Sequence, residues 1–166
     1  MKATRRRKSD CGVKLQEKKL RFNYGLTERQ MGKLIIEARK SQEPTGDQFL
    51  LLLERRLDNL IFRAGFAPAM IAARQLVSHR HVTLNGRSVN IPSIRVKLGD
   101  EIALKVTSLK IAMVLETLAK PLLDIPEWLN WSVAEKMVKI AHLSDADQVP
   151  FPIDKQQVVE YYSNRI

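Results

Sequence analysis

Residues 82–91 have the sequence Val-Thr-Leu-Asn-Gly-Arg-Ser-Val-Asn-Ile, and this stretch decides the fold. Apolar side chains alternate with polar ones around Asn85-Gly86, which is the pattern of a half-buried β-strand. Because Asn and Gly both accept the positive φ angles of a type I′ turn, this pair is the strongest short signal for a hairpin. The stretch therefore predicts two antiparallel strands joined by a two-residue turn.

The alternation continues beyond the hairpin. Apolar side chains at every second residue predict further strands with one buried face. These positions are Ile94, Val96 and Leu98 and, after a turn at Gly99-Asp100, Ile102, Leu104 and Val106. We expect a small, twisted, mostly antiparallel sheet packed on two helices.

A helix is predicted to begin at Thr27, on the N-terminal side of the hairpin. Thr27 and Gln30 have the spacing of a capping box, in which each side chain bonds the other's backbone N–H. Leu26 and Met31 have the spacing of a hydrophobic staple. The helix should end near Lys40.

A second helix is predicted from Thr45 to about Ala64. Thr45 and Gln48 repeat the capping-box spacing. Apolar residues at steps of three and four would form its buried face: Leu50, Leu53, Leu57, Leu60 and Ile61. A third helix should follow Pro68 and end within residues 78–81.

The C-terminal third gives weaker signals. Apolar residues at helical spacing predict a helix over residues 108–120. Residues 121–152 are rich in proline and are predicted to be loop-like, with Trp128 and Trp131 as anchors. The pattern of residues 158–162 fits a strand and a helix equally well.

The positive charge of the chain lies in two blocks. There are 28 Lys and Arg against 18 Asp and Glu, a net charge of +10. Residues 1–30 have a net charge of +7 and residues 55–105 of +6, whereas residues 31–54 (−1) and 106–166 (−2) are slightly acidic. Two basic blocks indicate two patches of one polyanion-binding surface, the alternative being the solvated exterior of any soluble domain.

Several function classes are disfavoured by what the sequence lacks. The longest uncharged stretch, residues 64–73, is too short for a membrane-spanning helix. The glycines are too far apart for a phosphate-cradling loop. Cys11 has no second cysteine to pair with, which indicates a reducing, intracellular compartment. His79 and His81 have no further ligand nearby in sequence, and no nucleophile stands beside a base and an orienting carboxylate. We therefore expect no metal, no cofactor and no enzymatic activity.

The first basic block offers cations suited to phosphate oxygens. Lys14, Lys18 and Arg21 are four and three residues apart, so they would share one face of a helix. A frayed basic terminus is the alternative. The candidate RNA-binding residues of this block are Arg5, Arg6, Arg7, Lys8, Lys14, Lys18, Lys19 and Arg21.

The second basic block surrounds the predicted hairpin. Its cations lie on two short helices, at the end of one of them, and directly after the Asn-Gly turn, so that one face can follow an RNA backbone. Asp58 is expected to cap a helix or to pair with a neighbouring arginine. The candidate RNA-binding residues of this block are Arg55, Arg56, Arg63, Arg74, Gln75, His79, Arg80, His81, Asn85 and Arg87.

Longer motifs in and around this block resemble the ribosomal protein S-four family. They include Leu53-Glu54-Arg55-Arg56-Leu57-Asp58-Asn59, Phe62-Arg63-Ala64-Gly65-Phe66-Ala67, Ala73-Arg74-Gln75-Leu76-Val77-Ser78-His79 and Val82-Thr83-Leu84-Asn85-Gly86-Arg87. Residues 9–30 and 158–163 resemble the family's upstream segment and its terminal signature. Because the match runs colinearly over nearly the whole chain, it is more specific than an S-four domain alone, which pseudouridine synthases and tyrosyl-tRNA synthetases also contain.

The resemblance implies an α+β fold. An N-terminal helical domain would contain an inserted S-four RNA-binding domain, in which two helices pack on a small, mostly antiparallel twisted sheet. Residues 1–50 would form a basic arm and helical region, and residues 51–106 the RNA-binding domain. Residues 107–166 would form a helix, proline-rich loops and a terminal segment that packs back on the N-terminal helical region.

The resemblance also implies a function. The chain would be a structural constituent of the small ribosomal subunit that binds 16S-type rRNA early in assembly of the 5′ domain and supports translation and its accuracy. Its expected partners are this rRNA, messenger RNA near the channel by which it enters the subunit, and neighbouring proteins of the S-three and S-five families. Residues 5–8 fall in the stretch that the family directs toward that channel. Cytoplasmic ribosomes, or those of an organelle, are the expected location.

The chain departs from the family pattern in two places. Members usually carry a longer segment ahead of residues 9–30, which in some lineages holds a four-cysteine zinc site that is not expected here. Acidic residues at 144–147 stand where the family is basic, so residues 121–157 are expected to contact RNA less and a neighbouring protein more. The alternative is an extra-ribosomal RNA-binding paralogue that regulates translation or acts as a chaperone of ribosomal particles.

Overall fold

The computed structural model describes residues 2–132, 134–142 and 148–165, with side chains from residue 11 onward. Its α-helices are α1 (Lys2–Tyr24), α2 (Glu28–Ala38), α3 (Thr45–Glu54), α4 (Leu57–Arg63), α5 (Met70–Ser78), α6 (Ala112–Ala119) and α7 (Lys155–Ser163). Its strands are β1 (Val82–Leu84), β2 (Arg87–Val89), β3 (Glu101–Leu104), β4 (Leu129–Ser132) and β5 (Met137–Ile140). Within these residues, none of the helices combines the length and the apolar character needed to cross a bilayer.

The chain divides into two compact units. Unit 1 comprises Met1–Leu53 and Asp145–Ile166, and unit 2 comprises Glu54–Ser144. Unit 1 is helical, whereas unit 2 combines helices with a sheet, so the predicted α+β class is confirmed. Residues 107–132 and 134–142, which were predicted to belong with the terminal segment, fall in unit 2.

Unit 1 joins the two ends of the chain. Helix α7 packs on α1, and the buried core combines Leu20 of α1, Ile35 of α2 and Phe49 of α3 with Val158 and Tyr162 of α7. The segment 158–162, which the sequence left open between strand and helix, is therefore helical. Its apolar side chains complete a core whose other members lie more than a hundred residues earlier.

The predicted start of α2 is confirmed at atomic level. The Thr27 hydroxyl accepts a hydrogen bond from the Gln30 backbone N–H at 3.3 Å, and the Gln30 side chain accepts one from the Thr27 backbone N–H at 3.0 Å. Leu26 and Met31, the staple residues, are both buried. The capping box thus satisfies N–H groups that the first helical turn leaves unbonded.

The single helix predicted from Thr45 to about Ala64 is wrong, because the chain leaves the helical conformation at Arg55 and Arg56. Here the backbone pairs with another segment: the Leu57 N–H donates to the Ile94 carbonyl, and the Val96 N–H donates to the Arg55 carbonyl, each at 2.9 Å. These hydrogen bonds compete with the helical ladder and separate α3 from α4. They also explain why residues 94–98 do not join the sheet as a strand, contrary to the prediction.

The predicted hairpin is confirmed. Asn85 and Gly86 have φ angles of 50° and 78°, as a type I′ turn requires, and Val82 pairs with Val89 across β1 and β2. Strand β3 pairs with the other edge of β1, with Leu84 opposite Ile102. The predicted hairpin, the strand after the Gly99-Asp100 turn and helix α5 after Pro68 are therefore confirmed.

The sheet is larger than predicted. It has five antiparallel strands in the order β2-β1-β3-β5-β4, and β4 and β5 lie in the region that was predicted to be loop-like. Val138 of β5 pairs with Ile102 of β3 and with Trp131 of β4. Each of these strands has only four residues and lies in a proline-rich region, which is why the pattern did not predict them.

The predicted helix over residues 108–120 is interrupted. A 3-10 turn covers Ser108–Lys110, and α6 starts at Ala112 after the extended residue Ile111. The core of unit 2 combines apolar side chains of α4, α5 and α6 with one face of the sheet, including Leu60, Val77, Val114 and Ile102. Helices α4 and α5 thus pack on the sheet, as predicted, and α6 adds to the same core.

Candidate nucleic-acid interface

Asp58 is a buried carboxylate held by two arginines. It has no exposed surface. Arg56 donates two hydrogen bonds to its carboxylate, at 3.1 and 2.9 Å, and Arg74 donates two more to Oδ2, at 3.2 and 3.0 Å. The Asn59 backbone N–H donates to Oδ1 at 2.8 Å. Burial of this charge is tolerated because every partner is in place, and the predicted pairing of Asp58 with a neighbouring arginine is confirmed.

A second buried carboxylate, Glu54, lies beside α4. The Asn59 amide donates to the Glu54 backbone carbonyl and to Oε2, both at 3.2 Å. The Arg63 guanidinium lies 4.0 Å from the same carboxylate. These contacts fasten the start of α4 to the segment before it.

Burial divides the candidate arginines of unit 2 into two groups. Arg56 and Arg63 are only 6% exposed, and the Arg55 guanidinium donates to the Val96 carbonyl at 3.2 Å. These three side chains hold the backbone and the buried acids of the unit, so their contacts give them a structural role. Arg74 combines a structural contact with an accessible side chain, since it binds Asp58 and keeps about a third of its side chain exposed. A role of these residues in RNA binding stays a prediction.

The exposed candidates of unit 2 lie at two places that are close in sequence, the end of α5 and the start of β2. Gln75, His79 and Arg80 are exposed at the C-terminal end of α5, and Arg87 is exposed at the start of β2. Arg80 has a φ angle of 63° and its N–H donates to the Val77 carbonyl. Glycine usually occupies this position of a helix end, because a side chain is strained there.

The two candidate histidines differ in burial. His79 is exposed, whereas His81 is half-buried and its Nδ1 lies 2.8 Å from the Ser108 hydroxyl oxygen. Their ring centroids are 6.3 Å apart. The structure therefore brings together two imidazoles that the sequence places on either side of a strained arginine.

Asn85 contributes to the turn itself. Its amide nitrogen donates to Asp100 Oδ1 at 2.9 Å, and its carbonyl oxygen accepts from the Glu101 N–H at 2.9 Å. Both hydrogen-bonding groups of the side chain are thus used to join the hairpin turn to the start of β3. The side chain remains at the surface, so contact with RNA stays a prediction for this residue as well.

The candidates of unit 1 lie on α1. Lys14, Lys18 and Lys19 are exposed. Arg21 is half-buried, with its guanidinium 3.6 Å from Glu17 and 3.7 Å from Glu28. The helical conformation places Lys14, Lys18 and Arg21 on one face, as their spacing predicted. Arg5, Arg6, Arg7 and Lys8 belong to α1, but their side chains lie outside the described residues.

A network of tyrosines and acids beside this face was not predicted. The Tyr162 hydroxyl donates to the buried Glu17 carboxylate at 3.0 Å, and the Tyr161 hydroxyl donates to Glu28 at 3.1 Å. Burial, followed by the hydrogen bond to Glu17, raises the pKa of Tyr162 well above its ordinary value. No local pattern links residues so far apart in sequence. Only their position in the terminal motif could have drawn attention to them.

The described surface offers groups suited to nucleic acid. Exposed cations, imidazoles and amides are groups that contact phosphates and bases. Among the residues that the structure describes, no three His, Cys, Asp or Glu side chains come together as a metal site.

Comparison with known proteins matches both units. A family model described as Ribosomal protein S4/S9 N-terminal domain matches residues 1–54, and one described as S4 domain matches residues 55–102. Small ribosomal subunit protein uS4 of Methylobacillus flagellatus is 64% identical over 166 residues, which is 99% of this chain and 81% of that protein. Small ribosomal subunit protein uS4B of Nitrosomonas europaea is 66% identical over the same shares.

More distant relatives give the same result. Small ribosomal subunit protein uS4 of Thermus thermophilus is 44% identical over 160 residues, which is 95% of this chain and 77% of that protein. The similarity thus extends across both units and the terminal helix rather than over the S4 domain alone. The chain belongs to the S4 family of small-subunit ribosomal proteins.

Proposed function

We propose that the chain is a structural component of the small ribosomal subunit and binds the rRNA of that subunit. The observation that carries this proposal is the similarity over 99% of the chain to relatives named as small-subunit proteins. The exposed cations of α1 and of the α5–hairpin region supply the chemistry. A free-standing regulator would need only the S4 domain, so the full-length similarity favours the ribosomal role.

Binding is electrostatic in origin and is selected by shape. Each lysine or arginine that contacts a phosphate releases a condensed counterion, so the affinity falls as the salt concentration rises. The folded backbone positions the cations, and base edges and unpaired bases supply selectivity. The buried arginines contribute indirectly, because Arg55 and Arg56 hold the segment between α3 and α4 and Arg63 lies against the buried Glu54.

The finer assignments belong to the same proposal. By its resemblance to the family, the chain would dock on the 5′ domain of the rRNA early in assembly and lie where messenger RNA enters the subunit. Proteins of the S-three and S-five families would be its neighbours, on ribosomes of the cytoplasm. The two basic blocks, one in residues 1–30 and one in the S4 domain, support contact with nucleic acid by both family domains.

Sedimentation tests the proposal. The full chain, tagged and expressed in its source cell, should migrate with small subunits in a sucrose gradient and remain there after a high-salt wash. Reversal of two exposed charges of α1, Lys18→Glu with Lys19→Glu, should release more of it. The matched control reverses Lys40 and Lys120, which are exposed outside the basic blocks, and should not. Wild-type protein that stays at the top of the gradient would contradict the proposal.

A further inference from the structure

A cleft of about 260 Å³ opens beside the C-terminal end of α5. Its residues all belong to unit 2. Its apolar part is formed by Leu76, Ile111 and Met113, and its polar rim by Gln75, His79 and His81. Leu76 is buried, whereas Gln75 and His79 are exposed, so the lining changes from apolar inside to polar outside. We call it the His79–His81 cleft.

One side of the rim is held in place by the fold. Ser108, which is buried, lies 2.8 Å from His81 Nδ1 and fixes the plane of that ring. The His81 backbone is bonded on both sides, since its N–H donates to the Leu76 carbonyl and its carbonyl accepts from the Lys105 N–H. His79 follows α5 as its C-cap residue, and its ring is tilted by 37° to that of His81. A ligand would therefore meet a preformed His81 ring, which lowers the entropy lost on binding.

The lining selects the chemistry of the occupant. A phosphate would lose hydration over an apolar floor, which is costly for a charge. An aliphatic chain would cover the polar rim and leave its donors and acceptors unpaired. A heteroaromatic ring has apolar faces and hydrogen-bonding edges, and unstacked bases stack on histidine in RNA complexes. Since drug-sized ligands occupy roughly 300–1,000 Å³, this smaller cleft suits one base.

The surrounding charge indicates that the base belongs to a polynucleotide. Arg80 lies between the two histidines in sequence and is exposed. Lys105 is adjacent to His81 through its backbone hydrogen bond, and Lys110 is exposed in the turn that precedes Ile111. Cations beside a base site are what the flanking phosphates of a single strand require.

We propose that the His79–His81 cleft holds one unstacked base of the small-subunit rRNA. The base stacks on the His79 imidazole, with its polar edge toward Gln75 and His81. This inference rests on the function proposed above, and it adds that the S4 domain binds a single-stranded, unpaired nucleotide here in addition to phosphates.

Substitution of His79 in the full chain tests the base site. The probe is a transcript of the small-subunit rRNA, and affinity is measured over a series of salt concentrations. His79→Ala should weaken binding by roughly 5- to 150-fold, the usual loss when one base loses its stacking partner, without a change in the salt slope. His79→Phe should restore the affinity because it keeps the stacking surface. His79→Lys, which supplies a cation but no ring, should not.

Two controls separate this site from the rest of the interface. Arg87→Ala removes an exposed cation on the hairpin and should change the salt slope by about one unit. Thermal unfolding of each His79 variant should match wild type, since the side chain is exposed. If His79→Ala binds like wild type, or if Lys and not Phe restores binding, the base site is overturned while the proposed function stands. If wild-type protein does not bind the transcript, both are overturned.

Discussion

Arg56 and Arg87 carry the same guanidinium group in different surroundings. Arg56 is buried against Asp58, which no water reaches, and Arg87 is exposed at the start of β2. Removal of a buried partner leaves an uncompensated charge in the interior, whereas removal of an exposed cation leaves only a weaker surface potential. Burial thus predicts which arginines of the second basic block serve the fold and which are available for binding.

Arg56→Ala should lower the free energy of unfolding by about 3 kcal/mol. This is the low end of the usual loss for a broken buried ion pair, because Arg74 still holds Asp58. Urea titration measures this loss, and the salt slope of rRNA binding by the folded protein should not change. Arg87→Ala is the control and should have the opposite profile, with stability within about 0.5 kcal/mol of wild type and a slope flatter by about one. Equal salt slopes of rRNA binding for the two variants would contradict this assignment of Arg56 to folding and Arg87 to binding.

Arg80 provides a second test at this scale, because its backbone is strained. A left-handed residue other than glycine costs about 1–2 kcal/mol, and glycine costs about 0.5–1 kcal/mol in entropy. Arg80→Gly should therefore leave the free energy of unfolding unchanged or raise it by up to about 1 kcal/mol. The same variant should bind rRNA more weakly, and Arg80→Lys should retain most of the affinity. A loss of stability in Arg80→Gly would mean that the side chain serves the fold.

Local signals predicted those elements whose stabilising contacts are local. The capping box of α2 and the Asn-Gly turn involve residues within a few positions of one another, so the sequence pattern contains them. The break between α3 and α4 depends on backbone bonds from residues 94 and 96, and β5 depends on β3 and β4. Neither dependence is visible in a short window. Charge pointed to the candidate cations, whose role in RNA binding stays a prediction. It did not reveal that Arg56 and Arg63 are buried, because charge alone does not show which arginines face buried acids.

The hairpin yields a prediction about the element. Asn85 combines a positive φ angle with two side-chain hydrogen bonds to residues 100 and 101, so each contribution can be removed separately. Asn85→Gly keeps the backbone freedom and loses the bonds, and it should cost about 1–2 kcal/mol. Asn85→Ala loses both and should cost about 1 kcal/mol more. Chemical unfolding of the two variants measures the difference, and equal stabilities would contradict the role of the turn.

In the molecule as a whole, the positive charge that indicates a polyanion partner is shared between the two units. The +7 of residues 1–30 belongs to unit 1, and the +6 of residues 55–105 belongs to unit 2. Two acidic residues of unit 1 contribute to its packing, because Glu17 and Glu28 contact Arg21 and accept hydrogen bonds from the two tyrosines of α7. The ends of the chain are thus joined by polar bonds as well as by apolar packing.

This join should weaken in alkaline solution. The raised pKa of Tyr162 keeps its hydroxyl protonated in the folded state, whereas the tyrosine of the unfolded chain ionises near its ordinary value of 10.0. The unfolded state therefore binds fewer protons above that pH, and this contribution to stability, complete at lower pH, is lost as the pH rises. The loss should reach at most about 1.4 kcal/mol per pH unit.

Tyr162→Phe separates this effect from other titrations. Near neutral pH the variant should be less stable by about 1–3 kcal/mol, because the buried Glu17 loses a hydrogen-bond donor. Above about pH 10 its stability should fall less steeply than that of wild type, as followed by urea unfolding at a series of pH values. Parallel curves for the two proteins would show that Tyr162 does not carry the pH dependence.

Because unit 1 is assembled from both ends of the chain, the order of synthesis matters for folding. Residues 1–53 are translated before α7, so their core lacks Val158 and Tyr162 until that later segment has been made. At about 5–20 residues per second, the intervening Glu54–Ser144 takes roughly 5–20 s to make, which is long enough for unit 2 to fold first. The nascent protein therefore has a completed S4 domain while the apolar face of its N-terminal helices is still uncovered. That interval is when a chaperone that recognises apolar surface would bind it.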